Sequence, residues 1–588
     1  MLAIILSWII ILFTLLSFGY MFIALYQKVC KQNEYYNILD IFLLGMCSLT
    51  VLLAITSIWI PSNQYVLFIL LIISTLYWVS NKSELYNLKQ SIKKFFVNLS
   101  KSNRVFLFIS VLSIIFYMCW AAHWFDATFY HYQNIRWDEE YSVVPGLGNL
   151  EHRFGFNSNY FLLSAVFSLR FIFGEAIYAG LQSVFTILII CWILIELVRS
   201  NFELKRILLL LFFLVLFTYN VDGMTDSSTD FIPNYCVFYL ISRFILYPNI
   251  FRDSKLLYYI LPITLITFKL SAGTFGIIGI AILIYLIKRK NYQILSSYLI
   301  IAFIVIIPWI VRNVIVSGYL FFPLSALDIF SVDWKIPKSI ALAESANVSG
   351  FAKLTFDNFI TFQYFKSFGF MNNKILFITI LIMNVSCFLA LISPVIIGYK
   401  YYKDRTLNKN YILIYLSLMI YLIYWYILAP DPRFANGAYL GLDFLLISLL
   451  LSNNIKKYPK FGKLLIPIFA LTLLLTSFKR TYNYYKLLYP TSIKEGRVSL
   501  KTIFYKPYSS KSQSEARRVP QGEFTIYKLG DLDIYITPDW NRGATYDMLP
   551  STSLEALRIP LKYQPLKTIE ARGTTLQEGF RPKKEYKN

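Results

Sequence analysis

Histidine is almost missing from this chain, with three in 588 residues, and charged residues make up only 15% against 57% hydrophobic. So little charge, at a mean hydropathy of +0.55, excludes an ordinary soluble domain and indicates a polytopic membrane protein. The six cysteines (Cys30, Cys47, Cys119, Cys191, Cys236, Cys387) lie in or beside apolar runs without metal-ligand spacing. Buried inert thiols are expected there, not structural disulfides. A P-loop, a GxSxG elbow and an HExxH helix are all lacking, which argues against nucleotide chemistry on the cytoplasmic side. Internal repeats and low-complexity tracts are lacking too. The formal charge of +23 comes from Lys and Arg scattered through short loops, a pattern that fits anionic headgroups and topology, not nucleic acid.

What the chain does have is apolar runs, from Leu2 to about Phe478, long enough to cross a hydrocarbon core of roughly 30 Å. The first has no basic leader or small-residue cleavage site and reads as a retained span. Hydropathy predicts about fourteen spans. The loops near Lys28 and Lys31, from Lys82 to Arg104, Arg199 to Arg206, Arg252 to Lys255, Lys288 to Lys290, Lys400 to Lys409 and Lys456 to Lys463 are basic. Those between them (Pro61 to Gln64, His123 to Asn159, Asn220 to Asp230, Ser317 to Asn373, Pro430 to Asn436) are neutral or acidic. The positive-inside rule makes the basic loops cytoplasmic and places the N-terminus, the histidine-bearing loop and the C-terminal tail outside. From about Lys479 the alternation in Phe524-Thr525-Ile526-Tyr527 and Leu532-Asp533-Ile534-Tyr535-Ile536 predicts strands of a small external α/β or β-rich domain. Leu256 to Phe268 and Thr274 to Leu286 are too short to cross, so the Lys269-Leu270-Ser271-Ala272-Gly273 turn between them is expected below the outer surface.

All three histidines, His123, His131 and His152, fall in the loop between two apolar spans, with Asp126, Asp138, Glu139, Glu140 and Glu151. A charge near the bilayer costs several kcal/mol unless paired or hydrated, so each is a functional candidate. Asp126, directly after a span, is a candidate general base, and His131 one turn later could orient it or contact substrate. Residues 129 to 141 mix aromatics and charges as in a helix lying on the membrane surface, and Pro145 with Gly146 and Gly148 forces a tight turn. Lys269, Arg312 and Arg433 lie at the outward ends of spans. Together they would make an anion site suited to phosphate. Alternatively, Lys269 snorkels, Arg312 meets headgroups and Arg433 pairs with Asp431. Tyr130, Arg136, Glu140, Asn149, His152, Arg153, Asn157 and Asp431 complete the set of candidate substrate contacts. Asp222, Asp226 and Asp230 recur at i, i+4, i+8 and fit a solvated acidic loop better than a cation site.

The motifs Asp126-x3-Tyr130-His131, Pro145-Gly-Leu-Gly-Asn149-Leu, Arg153-x3-Asn157, Pro308-Trp-x2-Arg312-Asn313 and Pro430-Asp-Pro-Arg433-Phe434 are similar to those of a family of poorly characterised bacterial membrane proteins. That family is related to the GT-C superfamily of polyprenol-phosphate-dependent glycosyltransferases, which this chain resembles over roughly residues 105 to 535. The resemblance implies an all-α polytopic fold. Residues 1–104 would add three N-terminal spans and a cytoplasmic loop, 105–478 form a GT-C-like core with external loop 123–159, and 479–588 form the external domain. It implies a bacterial inner-membrane glycosyltransferase with its active site facing the periplasm. A polyprenyl-phosphate-linked sugar would be the donor, a glycan or lipid the acceptor, attack would be inverting, and Asp126 would match the catalytic carboxylate. The chain departs from the superfamily in lacking a paired Asp-x-Asp or Glu-Asp at that place. No cofactor is therefore assigned, and a divalent metal stays open. A polymerase or ligase of lipid-linked glycans, and a transporter or flippase of an amphiphilic anion, are the alternative readings.

Overall fold

The computed structural model describes residues 1–120, 126–178, 180–249, 255–361, 374–403, 409–451, 456–488, 501–507, 525–537, 549–553 and 565–586. His123 lies outside them. Among the described residues, nine helices are long and apolar enough to cross a membrane. They include α1 (Leu2–Cys30), α2 (Ile38–Thr56) and, after α3 (Gln64–Ser80) and α4 (Lys82–Asn98), α5 (Lys101–Met118). The runs expected as fourteen spans thus resolve into these nine, a bent α3–α4 pair and three shorter apolar helices: Phe231–Leu246, Lys255–Phe268 and Asn436–Leu450. The short three have 16, 14 and 15 residues, against about 20 for a full crossing. The chain is a helical, multi-pass membrane protein with a small C-terminal strand region.

Packing begins at α1 and α2, where backbones touch. A Cβ on Gly45 would stand 1.8 Å from the Leu15 carbonyl oxygen, and one on Gly19 would stand 2.1 Å from that of Ile41. Lipid gives helices no hydrophobic reason to associate, so close approach at small residues supplies the contact instead. The start of α2 is fixed by a capping box: Asp40 N–H donates to Asn37 Oδ1 and Asn37 N–H to Asp40 Oδ2, both at 2.9 Å. The same Asp40 carboxylate, fully buried, accepts from Arg243 at 2.9 Å and from the Tyr239 hydroxyl at 2.7 Å. Lys255 lies 3.6 Å from buried Glu34 nearby. These pairs lock together the bundle end that carries the basic loops.

At the opposite end, the loop after α5 is folded into the protein. A π-helical turn (Ala127–His131) leads into the helix Tyr132–Glu140, which buries Tyr132, Gln133, Asn134, Ile135, Trp137 and Glu139. This helix is therefore packed inside, not laid on a membrane surface, because the helix Asn159–Val166 packs along it and, at Gln133 and Trp137, it meets the C-terminal strands. Of these, β1 (Thr525–Leu529) and β2 (Leu532–Thr537) form an antiparallel hairpin, β3 (Ser551–Ser553) joins β2 in parallel, and β4 (Ile569–Ala571) pairs with β5 (Phe580–Pro582). Ile534, Ile536, Ile569 and Phe580 share one core with Trp137, Val144, Leu147 and Val316. The Pro145–Gly146 turn is the dock. Gly146 has φ +63°, Phe580 N–H donates to the Pro145 carbonyl at 3.0 Å, and a Cβ on Gly579 (φ +84°) would meet that oxygen at 1.9 Å.

Gly45→Val should force α1 and α2 apart and cost about 2 kcal/mol or more. The detergent-solubilised protein should then melt at a clearly lower temperature, whereas Gly350→Ala, with open space around it, should not move the transition.

Candidate functional site

The three short helices and the loop after α5 meet at one place. Asp126 opens the π-turn, and such turns, with their widened backbone, recur at functional sites. Its Oδ1 lies 3.1 Å from Arg153 Nη1 and its Oδ2 3.8 Å from Arg433 Nη1. Arg433 sits in the 3-10 turn Pro432–Phe434, capped by Asp431, whose carboxylate accepts the Arg433 N–H at 2.8 Å and its Nε–H at 3.0 Å. Other side chains hold that turn's carbonyls: Asn234 donates to Arg433 O and Trp425 to Asp431 O, each at 2.7 Å, and Tyr421 to Phe434 O at 2.7 Å. Lys269, just past the end of Lys255–Phe268, ion-pairs with Asp230 and lies 3.4 Å from the centre of the Phe434 ring. Asp126, Arg153, Arg433 and Lys269 thus converge.

Beneath them is a buried charged layer. His152 Nδ1 lies 3.0 Å from Glu151 and its Nε2 lies 2.9 Å from Glu344 on the helix Lys338–Ile360, with all three side chains at most 1% exposed. Arg153 Nε lies 3.4 Å from the same Glu344, and its guanidinium covers the Phe129 ring at 5.0 Å. Only the top of this assembly is open: the Asp126 and Arg433 side chains are 33% and 31% exposed, those of Arg153 and Lys269 17% and 19%.

The electrostatics follow from this layering. Burial raises the Asp126 carboxyl, but Arg153 and Arg433 outweigh it and hold the group below its ordinary range. It is therefore a carboxylate at neutral pH. His131 is 4% exposed, neither ring nitrogen has a hydrogen-bond partner among the described residues, and burial takes its pKa down to about 3, with Asp126 opposing and Lys269, Arg153 and Arg433 adding to the fall. Its imidazole is neutral and can contact or orient a group but carries no charge. Tyr130 packs edge-on to it at 4.3 Å. Asp226 is 1% exposed, and burial, then Asp222 and Asp126, push its carboxyl well above the ordinary range.

Other sequence candidates stand apart. Arg312 is 3% exposed and donates to Ser57 (2.7 Å), Asp138 (2.9 Å) and Asn157 (3.2 Å), beside a small cavity of about 20 Å³ that Trp137 and Asn134 also line. With those donors engaged inside the protein, it clamps α2 to the loop and does not join the anion cluster. Asn157 donates to Asn313 (2.9 Å), and Asn149 to the Trp334 carbonyl (2.7 Å). Arg136 and Glu140 form an i, i+4 pair at 2.7 Å, with Glu140 exposed. The acidic stretch Asp222 to Asp230, expected to be solvated, is instead drawn in: Asp230 binds Lys269, Asp222 binds Arg480, and Asp226 is buried. Glu344 was not among the candidates. Its only signal was being the lone acid in Ala341-Leu342-Ala343-Glu344-Ser345-Ala346. Among the described residues, no cluster of three or more His, Cys, Asp or Glu could hold a metal.

Residues 1–440 match the family model described as "Domain of unknown function (DUF8201)". The match covers more than half of the chain, which therefore belongs to this family, and it takes in α1 to α3. No curated protein and no solved structure matches.

His152 supplies a pH dependence. Burial lowers its pKa, but Glu151 and Glu344 outweigh burial and raise it from 6.5 to about 9. Its contribution to stability is then complete below pH 6.5 and is lost as pH rises through about 9. The melting temperature should fall across that window. His152→Gln should melt lower at pH 6.5 and show a flatter profile.

Proposed function

We propose that this DUF8201 member is an integral-membrane glycosyltransferase of the bacterial inner membrane. It would move a sugar from a polyprenyl-phosphate-linked donor to an external glycan or lipid acceptor. The observation that carries this reading is the open pair at the top of the charged layer, Asp126 and Arg433, 3.8 Å apart. A carboxylate beside an arginine fork offers a base next to a phosphate seat. Lys269, stacked on the ring that follows Arg433 in sequence, would add a second positive charge to that seat.

In the proposed reaction the donor phosphate lies against Arg433 and Lys269. The acceptor hydroxyl oxygen bonds to the anomeric carbon from the face opposite the phosphate. The anomeric carbon–oxygen bond to the phosphate breaks, the hydroxyl proton passes to Asp126, and the lipid phosphate leaves with the bonding pair. The two cations stabilise charge that grows on the leaving oxygen, an electrostatic role that is often large. Substrate binding also tunes the base. Arg433 depresses Asp126 in the empty site, and a phosphate on Arg433 offsets that positive charge, so Asp126 regains basicity when donor is bound. Neutral His131, with neither nitrogen hydrogen-bonded among the described residues, would take a sugar hydroxyl. The short helices would keep these groups below the membrane surface, where a lipid-linked phosphate can reach them. The resemblance of the Asp126 and Arg433 motifs to a bacterial membrane-protein family related to the GT-C transferases supports the same reading, with the site and the strands facing the periplasm.

Purified full-length protein given a panel of radiolabelled polyprenyl-phosphate sugars, with membrane extract as acceptor, tests it. Sugar transfer coupled to release of lipid phosphate is the expected result. Asp126→Asn should cut turnover by roughly 10²- to 10⁴-fold while donor binding persists, and Arg433→Gln should weaken donor binding instead. A fully active Asp126→Asn would remove Asp126 as base. Donor crossing proteoliposomes chemically unchanged would replace the transferase with a transporter.

A further inference from the structure

We propose that α4 is a membrane-surface helix that lies along an anionic lipid leaflet at the basic end of the bundle. It follows α3 at a bend of 92° centred on Asn81, so if α3 runs across the bilayer, α4 runs in its plane. The sequence Lys82-Ser-Glu-Leu-Tyr-Asn-Leu-Lys-Gln-Ser-Ile-Lys-Lys-Phe-Phe-Val-Asn98 is too charged to cross. Its leucines, isoleucine and phenylalanines nevertheless fall on one stripe, with Tyr86 and Val97 off it. Leu85, Leu88, Ile92, Phe95 and Phe96 recur at i, i+3, i+7, i+10 and i+11. On the other side lie Ser83, Asn87, Gln90 and Lys94.

The protein covers little of this stripe. Leu88 is buried, but Ile92 is 41% and Phe96 46% exposed. The adjoining α3 carries exposed apolar residues too: Phe68, Ile69, Ile72 and Leu76. A stripe continuous with such a surface fits the acyl boundary of a bilayer.

Charge identifies the lipid. Lys82, Lys89 and Lys93, at i, i+7 and i+11, line one edge of the stripe, at the level where headgroup phosphates would sit. These three and Lys94 are exposed and have no acidic partner among the described residues. The one acid of the helix, Glu84, is turned back to accept from the Tyr77 hydroxyl on α3. Lys101 and Arg104 extend the basic run into α5. Unneutralised lysines beside a shallow apolar face are the recognition elements of an anionic leaflet, and each contributes affinity near such a surface.

The experiment uses the full chain in nanodiscs of mixed phosphatidylglycerol and phosphatidylcholine, spin-labelled at Ile92→Cys or Gln90→Cys. The unsubstituted protein gives the background of its own cysteines. The label at 92 should be open to oxygen and closed to an aqueous nickel chelate, and the label at 90 the reverse. Nickel access at 92 would overturn the proposal, as would shielding from both reagents, which would mean a protein partner or a second copy covers the stripe. For the charge, the ratio of phosphatidylglycerol to phosphatidylcholine retained on purification should fall roughly fivefold in Lys89→Gln/Lys93→Gln/Lys94→Gln. It should be kept in the matching arginine variant. An unchanged ratio in the glutamine variant would overturn the assignment to an anionic leaflet.

Discussion

A charge removed from water costs several kcal/mol unless an opposite charge meets it at good geometry. At the acidic end of this bundle the chain meets that constraint with an alternating series: Glu151, His152, Glu344, Arg153, Asp126, Arg433 and Asp431, each linked to the next by an ion pair of 2.9–3.8 Å. The series joins three distant stretches of sequence: the loop after α5, the helix Lys338–Ile360 and the turn at Pro432. Removing a member from the buried part strands its neighbours, a loss of about 3–5 kcal/mol in comparable pairs. The open part, Asp126 and Arg433, keeps its orientation because the buried part holds it. Function and stability therefore draw on the same charges.

The shortness of three helices is the second feature that the site depends on. Phe231–Leu246, Lys255–Phe268 and Asn436–Leu450 are each too short to cross, and each ends at the cluster: Asp230 precedes the first, Lys269 follows the second, and the Arg433 turn leads into the third. Close packing fixes where they end. A Cβ on Gly437 would stand 2.0 Å from the Asn234 carbonyl oxygen, so the two helices touch through backbone just beside Arg433. The irregular backbone of residues 431 to 434 is satisfied by the side chains of Asn234, Trp425 and Tyr421.

Much of this was legible in the sequence. The helical membrane class, the C-terminal strands at Thr525–Leu529 and Leu532–Thr537, the tight turn at Pro145 and the shortness of Leu256 to Phe268 follow from local pattern. The gathering of Asp126, Lys269 and Arg433 was expected from charge at the outward ends of spans, and the geometry brings these three together. Arg312 carried the same signal and went elsewhere, since Asp138 and Ser57 claim its guanidinium. Asp226 looked solvated because its loop is polar, yet it is buried under the fold. Glu344 carried almost no signal, because its partners, His152 and Arg153, lie nearly two hundred residues away.

Taken alone, then, the amino-acid order determined which segments leave water and which residues could bear charge there, because burial of apolar side chains and the 3.6-residue and two-residue periods act over short stretches. Only the tertiary structure decided which charges pair with which. An ion pair depends on a few ångströms of separation and on the loss of competing water, and both are set by how distant helices pack.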